Sequence, residues 1–433
     1  MVAEVMPWIA FVAGIAVVLA TATSVIVTLI VPRGTRSVVT KVLRWFLDMV
    51  FRQPVMRLHD YLARDRFLSL QAPIFLVLQL ASWLGLFYAG FALMMSPWVD
   101  GIGAALRLSG SSMFTLGFAN SVGDSGALLA ICFGSAAVGM VVVALQISYL
   151  PTIYGAFNRR ETLVTMLESR GGEPVWGPEI LARHVLVDIV DNLPILYAEW
   201  ERWAADLDES HSTYPVLMYM RSPTPLRSWV IGLLAVLDAA ALQNALNPLT
   251  APSECRLVLR MGFTALRDLA RVVGVPYNND PRPDDPLELT EEDFRQAVDH
   301  LVAAGWVPER SAEEAWIHFR GWRTNYETAA YGIADLLDAP PALWSGPRRH
   351  EHVRATAPRR PMDRRPEERR EMSRVAAKRR AIRSAQTGSN LPAAVRAALR
   401  RRIAEDEAAG GRPTDETAVA REALAVLGDD QQG

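Results

Sequence analysis

The chain has 433 residues, half of them apolar, and a formal charge of -2 that averages an acidic middle against a basic far end. The apolar excess sits in the first third, which excludes a single soluble core and calls for at least two parts. Its two cysteines, Cys132 in an apolar segment and Cys255 in a helically patterned one, exclude a disulfide framework or a cysteine-rich metal centre.

Residues 7–31 carry no charge, and about 20 apolar residues suffice for a helix to cross a hydrocarbon core of roughly 30 Å. The run is preceded only by Glu4 and lacks an evident cleavage site, so residues 1–32 read as a retained transmembrane span, with a cleaved signal peptide as the alternative. Residues 33–70 then set Arg33, Arg36, Lys41, Arg44, Arg52, Arg57, Arg64 and Arg66 among apolar residues at helical spacing. Such a basic amphipathic segment suits the inner membrane face, aliphatic side at the acyl boundary and arginines among anionic head groups. A helix packed on a soluble domain is the alternative.

The positive-inside rule places this segment in the cytoplasm, so the first span starts outside. A second span over residues 73–95 returns the chain to the outer face. Gln79, its chief polar interruption, reads as a helix-to-helix hydrogen bond rather than a transport site. Trp98, Asp100 and Gly101 mark an outer loop, and residues 104–114 have the length of a short re-entrant helix. The third span, residues 126–154, contains Gly126, Gly134, Ser135, Ala136, Ala137 and Gly139, small residues that let helices approach closely in a membrane. It delivers Arg159 and Arg160 to the cytoplasm. Between the second and third spans lies SGSSMFTLGFAN, residues 109–120, with no charge from Leu108 to Asp124.

Within that stretch, Thr115, Leu116, Gly117, Phe118, Ala119 and Asn120 resemble the filter of the potassium-channel pore-loop family, whose usual string is Thr-Val-Gly-Tyr-Gly-Asp. The resemblance implies an all-α membrane protein with a pore domain over residues 71–158: span, re-entrant pore helix with filter, span. It implies that Thr115 supplies the innermost ring of ligands through its carbonyl and hydroxyl, and that Leu116 and Phe118 face outward to brace the filter. Chemically, rings of backbone carbonyls replace the hydration shell of a permeating monovalent cation, potassium by resemblance. Gly117 supplies the positive φ that such a backbone demands. A single pore loop per chain calls for a homotetramer.

Ala119 stands where the family has its second glycine, and a left-handed non-glycine residue costs roughly 1–2 kcal/mol. Asn120 replaces the aspartate of the outer mouth, where Asp124 restores some negative potential, and Ser111 takes the place of a pore-helix glutamate found in some members. Gly139 matches the family's hinge glycine, with helix packing as its alternative role, and Pro151 either bends the inner end of the last span or ends it. The expectation is a passive pore in the plasma membrane, conducting potassium by resemblance, N-terminus outside and C-terminus cytoplasmic. A weakly selective monovalent cation channel, or a non-conducting receptor or scaffold on the same architecture, are the alternatives.

Residues 159–344 read as a mainly helical cytoplasmic domain, with helical windows at 194–208, 228–246, 253–273, 291–304 and 312–337 and a capping box at Thr290 to Asp293. The absence of a Gly-x-Gly-x-x-Gly after a strand argues against a dinucleotide-binding domain, and no ligand is named by the sequence. His184 and His211 lack positioned partners in sequence and read as structural or surface histidines. Asp280, Asp284, Asp285 and Glu288 do not match a calcium loop and read as a solvated connector. Arg348, Arg349, His350 and His352 are too few for a metal site. No catalytic constellation is present, so no enzyme and no cofactor are expected. Residues 345–433 form a basic tail of disordered composition, a linker or a contact for anionic lipids, with short helices at 391–408 and 414–427 and no specific nucleic-acid partner expected.

Overall fold

The computed structural model describes residues 2–31, 37–117 and 125–347, and among them every regular element is helical. The basic tail and its two short helices lie outside the described residues. Two compact units divide the chain: Met1–Arg159 with Ser210–Arg221, and the residues from Arg160 to Glu209 with those from Ser222 onward.

The first unit is built on α1 (Val2–Leu29), α4 (Gln71–Met95) and residues 126–159 of α6 (Gly126–Gly171). These helices leave most of their apolar surface uncovered, with only 22%, 33% and 28% of their most apolar windows buried by protein. Water does not tolerate contiguous apolar surface on that scale, and helices of this length match a bilayer. The chain is thus an all-α membrane protein.

In lipid, apolar area gives no net drive between helices, so close packing and single hydrogen bonds must hold them. A Cβ added to Gly14 of α1 would lie 2.6 Å from the carbonyl oxygen of Gly90 in α4, so that crossing requires glycine. Deeper along the same pair, the Trp83 indole donates to Ser24 Oγ at 3.0 Å, and Ser24 donates onward to Ser37 Oγ at 2.9 Å. At the opposite end Trp8, Phe11 and Trp98 meet edge to face.

Helix α2 (Val38–Arg57) begins on Ser37, whose hydroxyl accepts from Thr40 N. Its Leu43, Leu47, Phe51 and Val55 are buried with Leu68 of α3 (Tyr61–Leu68), and the partly buried Phe75 of α4 packs against them. A second stripe, Val38, Val42, Trp45 and Met49, stays exposed. The side packed on α4 and the bare stripe are both apolar, which fits a helix lying in a bilayer surface.

The sequence sets the third span at 126–154, but α6 runs to Gly171 with Pro151 inside it. The reason is a single buried stripe, Leu128, Cys132, Ser135, Gly139, Val142, Gln146, Tyr149, Ile153 and Ala156, which steps by four and three through the proline. Packing on both sides of Pro151 outweighs the one hydrogen bond it removes. Against Tyr149 and Ile153 rest Val216, Leu217 and Met220 of the segment 210–221, and Arg221 of that segment ion-pairs with Asp65. The hydrogen bond expected of Gln79 is not made: both of its amide atoms are buried without a partner.

In the second unit, α9 (Trp229–Leu246) has the length and apolarity of a span, yet 94% of it is buried by protein. It is the core of a helical domain, wrapped by α7 (Gly177–Leu186), α10 (Glu254–Val273), α12 (Ala312–Arg323) and α13 (Glu327–Leu336), while residues 193–209 of α8 (Leu193–Thr213) and α11 (Glu291–Ala303) complete the unit. Thr290 and Asp293 form the expected reciprocal cap, and Ser311 with Glu314 forms a second. The single helix expected over 312–337 is two, broken at residues 324–326. The break turns Arg323 and Tyr326 toward one buried carboxylate, Asp238 of α9: Arg323 pairs with it and Tyr326 donates to it at 2.8 Å. Arg323 also donates to Glu327 Oε2 at 2.6 Å and to the Trp344 carbonyl at 2.8 Å.

Candidate functional site

The site rests on α5 (Ile102–Met113), the short helix between α4 and α6. Small residues seat it. Ser109 Oγ donates to the Tyr88 carbonyl of α4 at 2.9 Å, and a Cβ on Gly110 would come within 3.1 Å of the Tyr88 ring. On the other flank a Cβ on Gly139 of α6 would fall 2.3 Å from the carbonyl oxygen of Met113, the last residue of α5. The end of α5 is therefore held between two neighbours through small residues, tightly at Gly110 and, at Gly139, where a Cβ does not fit.

Beyond Met113 the backbone turns sharply. The Phe114 amide donates to Gly110 O at 3.1 Å, Thr115 N to Ser112 O at 3.1 Å, and Leu116 N to Ser111 O at 2.9 Å. This paired pattern is the glycine-type helix stop, which places its pivot residue in the left-handed region. Here the pivot is Thr115, at φ +55°, and Gly117 follows at φ +71°. For a β-branched residue that conformation stores roughly 1–3 kcal/mol, so the surrounding contacts must enforce it. Thr115 Oγ1 donates back to the Phe114 carbonyl at 2.8 Å. Thr115 and Gly117 are exposed, as are Phe114 at 48% and Leu116 at 57%. The outward, bracing role that the resemblance implied for Leu116 has no buried contact behind it in the single chain, where the side chain is exposed.

Of the residues singled out by the sequence, Thr115, Leu116 and Gly117 follow one another in this turn, while Phe118, Ala119, Asn120 and Asp124 lie outside the described residues. Gly139 joins the site as the packing partner of Met113. Pro151 does not: it is exposed on α6, twelve residues and about 18 Å of helix further on. Sequence reasoning missed Tyr88 and Met113, because both contacts run through a backbone carbonyl or a ring face; the adjacent small pair Ser109 and Gly110 was the available signal.

The other titratable candidates serve structure. His184 is buried with Nδ1 2.7 Å from Ile180 O of its own helix, and burial pushes its pKa down. His211 Nδ1 lies 3.0 Å from Ser210 Oγ. In the acidic connector, Asp285 accepts from Asn278 and from the Arg282 amide, and Arg320 reaches the Asp284 carbonyl. Among the described residues no group of acidic, histidine or cysteine side chains could hold a metal ion, and both Cys132 and Cys255 are free and buried. The cluster Arg348 to His352 lies outside the described residues.

Comparison with known proteins gives one informative likeness. The chain is 25% identical over 188 residues to YdjJ of Bacillus subtilis (strain 168), an uncharacterised membrane protein. The match covers 40% of this chain and 53% of that relative, so the chain spans about half the relative's length. No family model and no solved structure matches.

Proposed function

We propose that the chain is one subunit of a passive pore-loop cation channel, four copies of which enclose a potassium path through residues 115–119. The observation that carries this reading is a short helix, set between two lipid-facing spans, that ends in a turn holding both Thr115 and Gly117 at positive φ. Backbone of this kind survives at membrane depth only inside protein or against a water-filled path. Two further features support it. The C-terminal end of α5 carries the negative end of its helix dipole and so favours a cation beside Thr115. Phe114 and Leu116 are uncovered in the single subunit, and assembly around an axis would bury them. In this arrangement the path opens on the N-terminal side of α1 outside, α2 meets anionic lipid, and the second unit lies in the cytoplasm.

The test is flux from proteoliposomes. Wild type should pass potassium, and Gly117→Asp should abolish the flux while the assembly keeps its size. Absence of flux from tetramers under conditions that open them would overturn the reading. Reversal potentials in opposed potassium and sodium gradients separate a selective pore from the weakly selective one suggested by Ala119 and Asn120.

A further inference from the structure

A piece of chain from between α8 and α9 packs against the part of α6 that carries Pro151. Residues 210–221 belong to the first unit, although the chain before Ser210 and after Arg221 belongs to the second. At their centre is a 3₁₀ turn, Pro215–Tyr219. Val216, Leu217 and Met220 are buried with Tyr149 and Ile153 of α6 and Leu76 of α4, and Tyr214 meets Tyr149 edge to face with ring centroids 5.5 Å apart. At the end of the segment Arg221 Nη1 donates to Asp65 Oδ1 of α3 at 2.5 Å and to the Tyr61 hydroxyl at 3.3 Å.

These contacts straddle the proline. Pro151 has no amide to donate within the helix, which lowers the resistance of α6 to bending there. Tyr149 and Ile153, the buried residues on either side of it, both rest on the segment. Pro151, Thr152 and Tyr154 are exposed, so among the described residues of the first unit α6 is gripped at this level on one face. The Arg221 and Asp65 side chains are 12% and 9% exposed, and removing either partner would leave the other as a buried, uncompensated charge. That pair ties the segment to α3 and so keeps its apolar residues seated on α6.

We propose that residues 214–221 are a splint for α6: fastened by the Arg221–Asp65 pair they hold the helix on both sides of Pro151, and withdrawn they leave it free to bend there. The chain enters the splint from the second unit through α8 and returns to that unit at Ser222, so a rearrangement of the second unit acts on the splint through the backbone itself. The step from bending to conduction rests on the channel reading; the splint does not, and the two are measured separately.

The test is hydrogen exchange on the full chain in nanodiscs. Asp65→Asn should accelerate exchange at least about tenfold in residues 214–221 and also in residues 152–159 of α6, while residues 126–138 of the same helix keep the wild-type rate. The charge-swapped pair, Asp65→Arg with Arg221→Asp, should return both segments toward wild type. Leu217→Ala loosens the splint without touching the ion pair and should again speed exchange in both. Faster exchange in 214–221 with 152–159 unchanged, no recovery in the swapped pair, or equal acceleration throughout α1, α4 and α6, as for a general stability contact, would each overturn the proposal. Potassium flux from the same proteins should rise in Asp65→Asn and fall back in the swapped pair; unchanged flux in a conducting protein whose 152–159 exchange has risen would overturn the role in gating. If the exchange results hold and wild type passes no potassium, the splint stands and the channel reading fails.

Discussion

Adding one methyl group at Gly139 tests whether that glycine is a hinge or a packing contact. A Cβ there would sit 2.3 Å from the Met113 carbonyl oxygen, where real contacts do not fall below 3.0 Å, so the end of α5 and α6 must separate by at least 0.7 Å (3.0 minus 2.3). The obstructing atom is backbone, and no rotamer change relieves it. Overpacking of this kind costs about 1–3 kcal/mol. Gly134, on the same helix, meets nothing within 4 Å and supplies the control. Both substitutions to alanine gain the same helix propensity, up to about 1 kcal/mol, so the difference between them isolates the clash. Gly134→Ala should raise the thermal midpoint in nanodiscs, Gly139→Ala should fall below it by an amount equivalent to about 1–3 kcal/mol, and, in the proposed channel, only Gly139→Ala should change potassium flux, because Met113 lies two residues before Thr115. Equal midpoints for the two variants would refute the packing argument. A Gly139→Ala variant that is stable, keeps α5 in place by hydrogen exchange and merely fails to open would restore the hinge.

Three other expectations follow from contacts at single residues. Trp83→Phe removes the indole donation to Ser24 and should cost about 0.6–1.7 kcal/mol of stability in lipid, measured by unfolding with denaturing detergent; no change would show that the bond contributes nothing. Arg323→Met leaves Asp238 and Glu327 buried without their partner and should cost about 3–5 kcal/mol, seen as accelerated hydrogen exchange across α9, α12 and α13. Burial alone would raise the Glu179 carboxyl, but contacts with His300 at 2.8 Å and Arg183 at 2.7 Å outweigh it and hold the pKa below the ordinary 4.5. A carboxylate so depressed stabilises the fold above its ordinary pKa and loses that contribution as pH falls through the lower folded value. Protection of α7 and α11 should therefore decline below about pH 4.5, and Glu179→Gln should show reduced protection at neutral pH with a flatter acid profile; an unaltered profile would discard the assignment.

What could be read from sequence was whatever local chemistry determines. A charge-free run of the right length becomes α1, small residues beside an uncharged loop become α5 and its turn, and Thr290 with Asp293 caps α11 through neighbours only three residues apart. What could not be read depends on residues far along the chain. The helix breaks after Arg323 because Asp238, 85 residues earlier, needs Arg323 and its neighbours on one side. Helix α6 passes Pro151 because residues on either side of it share one buried stripe, a tertiary gain that overrides local preference. Gln79 was expected to find a partner across a helix pair, and both of its amide atoms are buried without one. The role of Gly139 depends on Met113, which no spacing rule connects to it.

The placement of Gly139 and Pro151 on one helix separates two tasks in the proposed channel. The turn at Thr115 is strained, so it needs rigid support, and that support comes from Tyr88 on one flank of α5 and Gly139 on the other. Bending α6 at Gly139 would open the Met113 contact and release the turn that depends on it. Pro151 lies about 18 Å further along, where a missing backbone hydrogen bond lowers the resistance to bending and the residue itself is exposed. The helix between them is continuous, so a bend at Pro151 moves the inner end of α6 and leaves Gly139 seated on Met113. In the proposed channel, an inner gate would therefore belong at Pro151 and Gly139 to the support of the turn at Thr115.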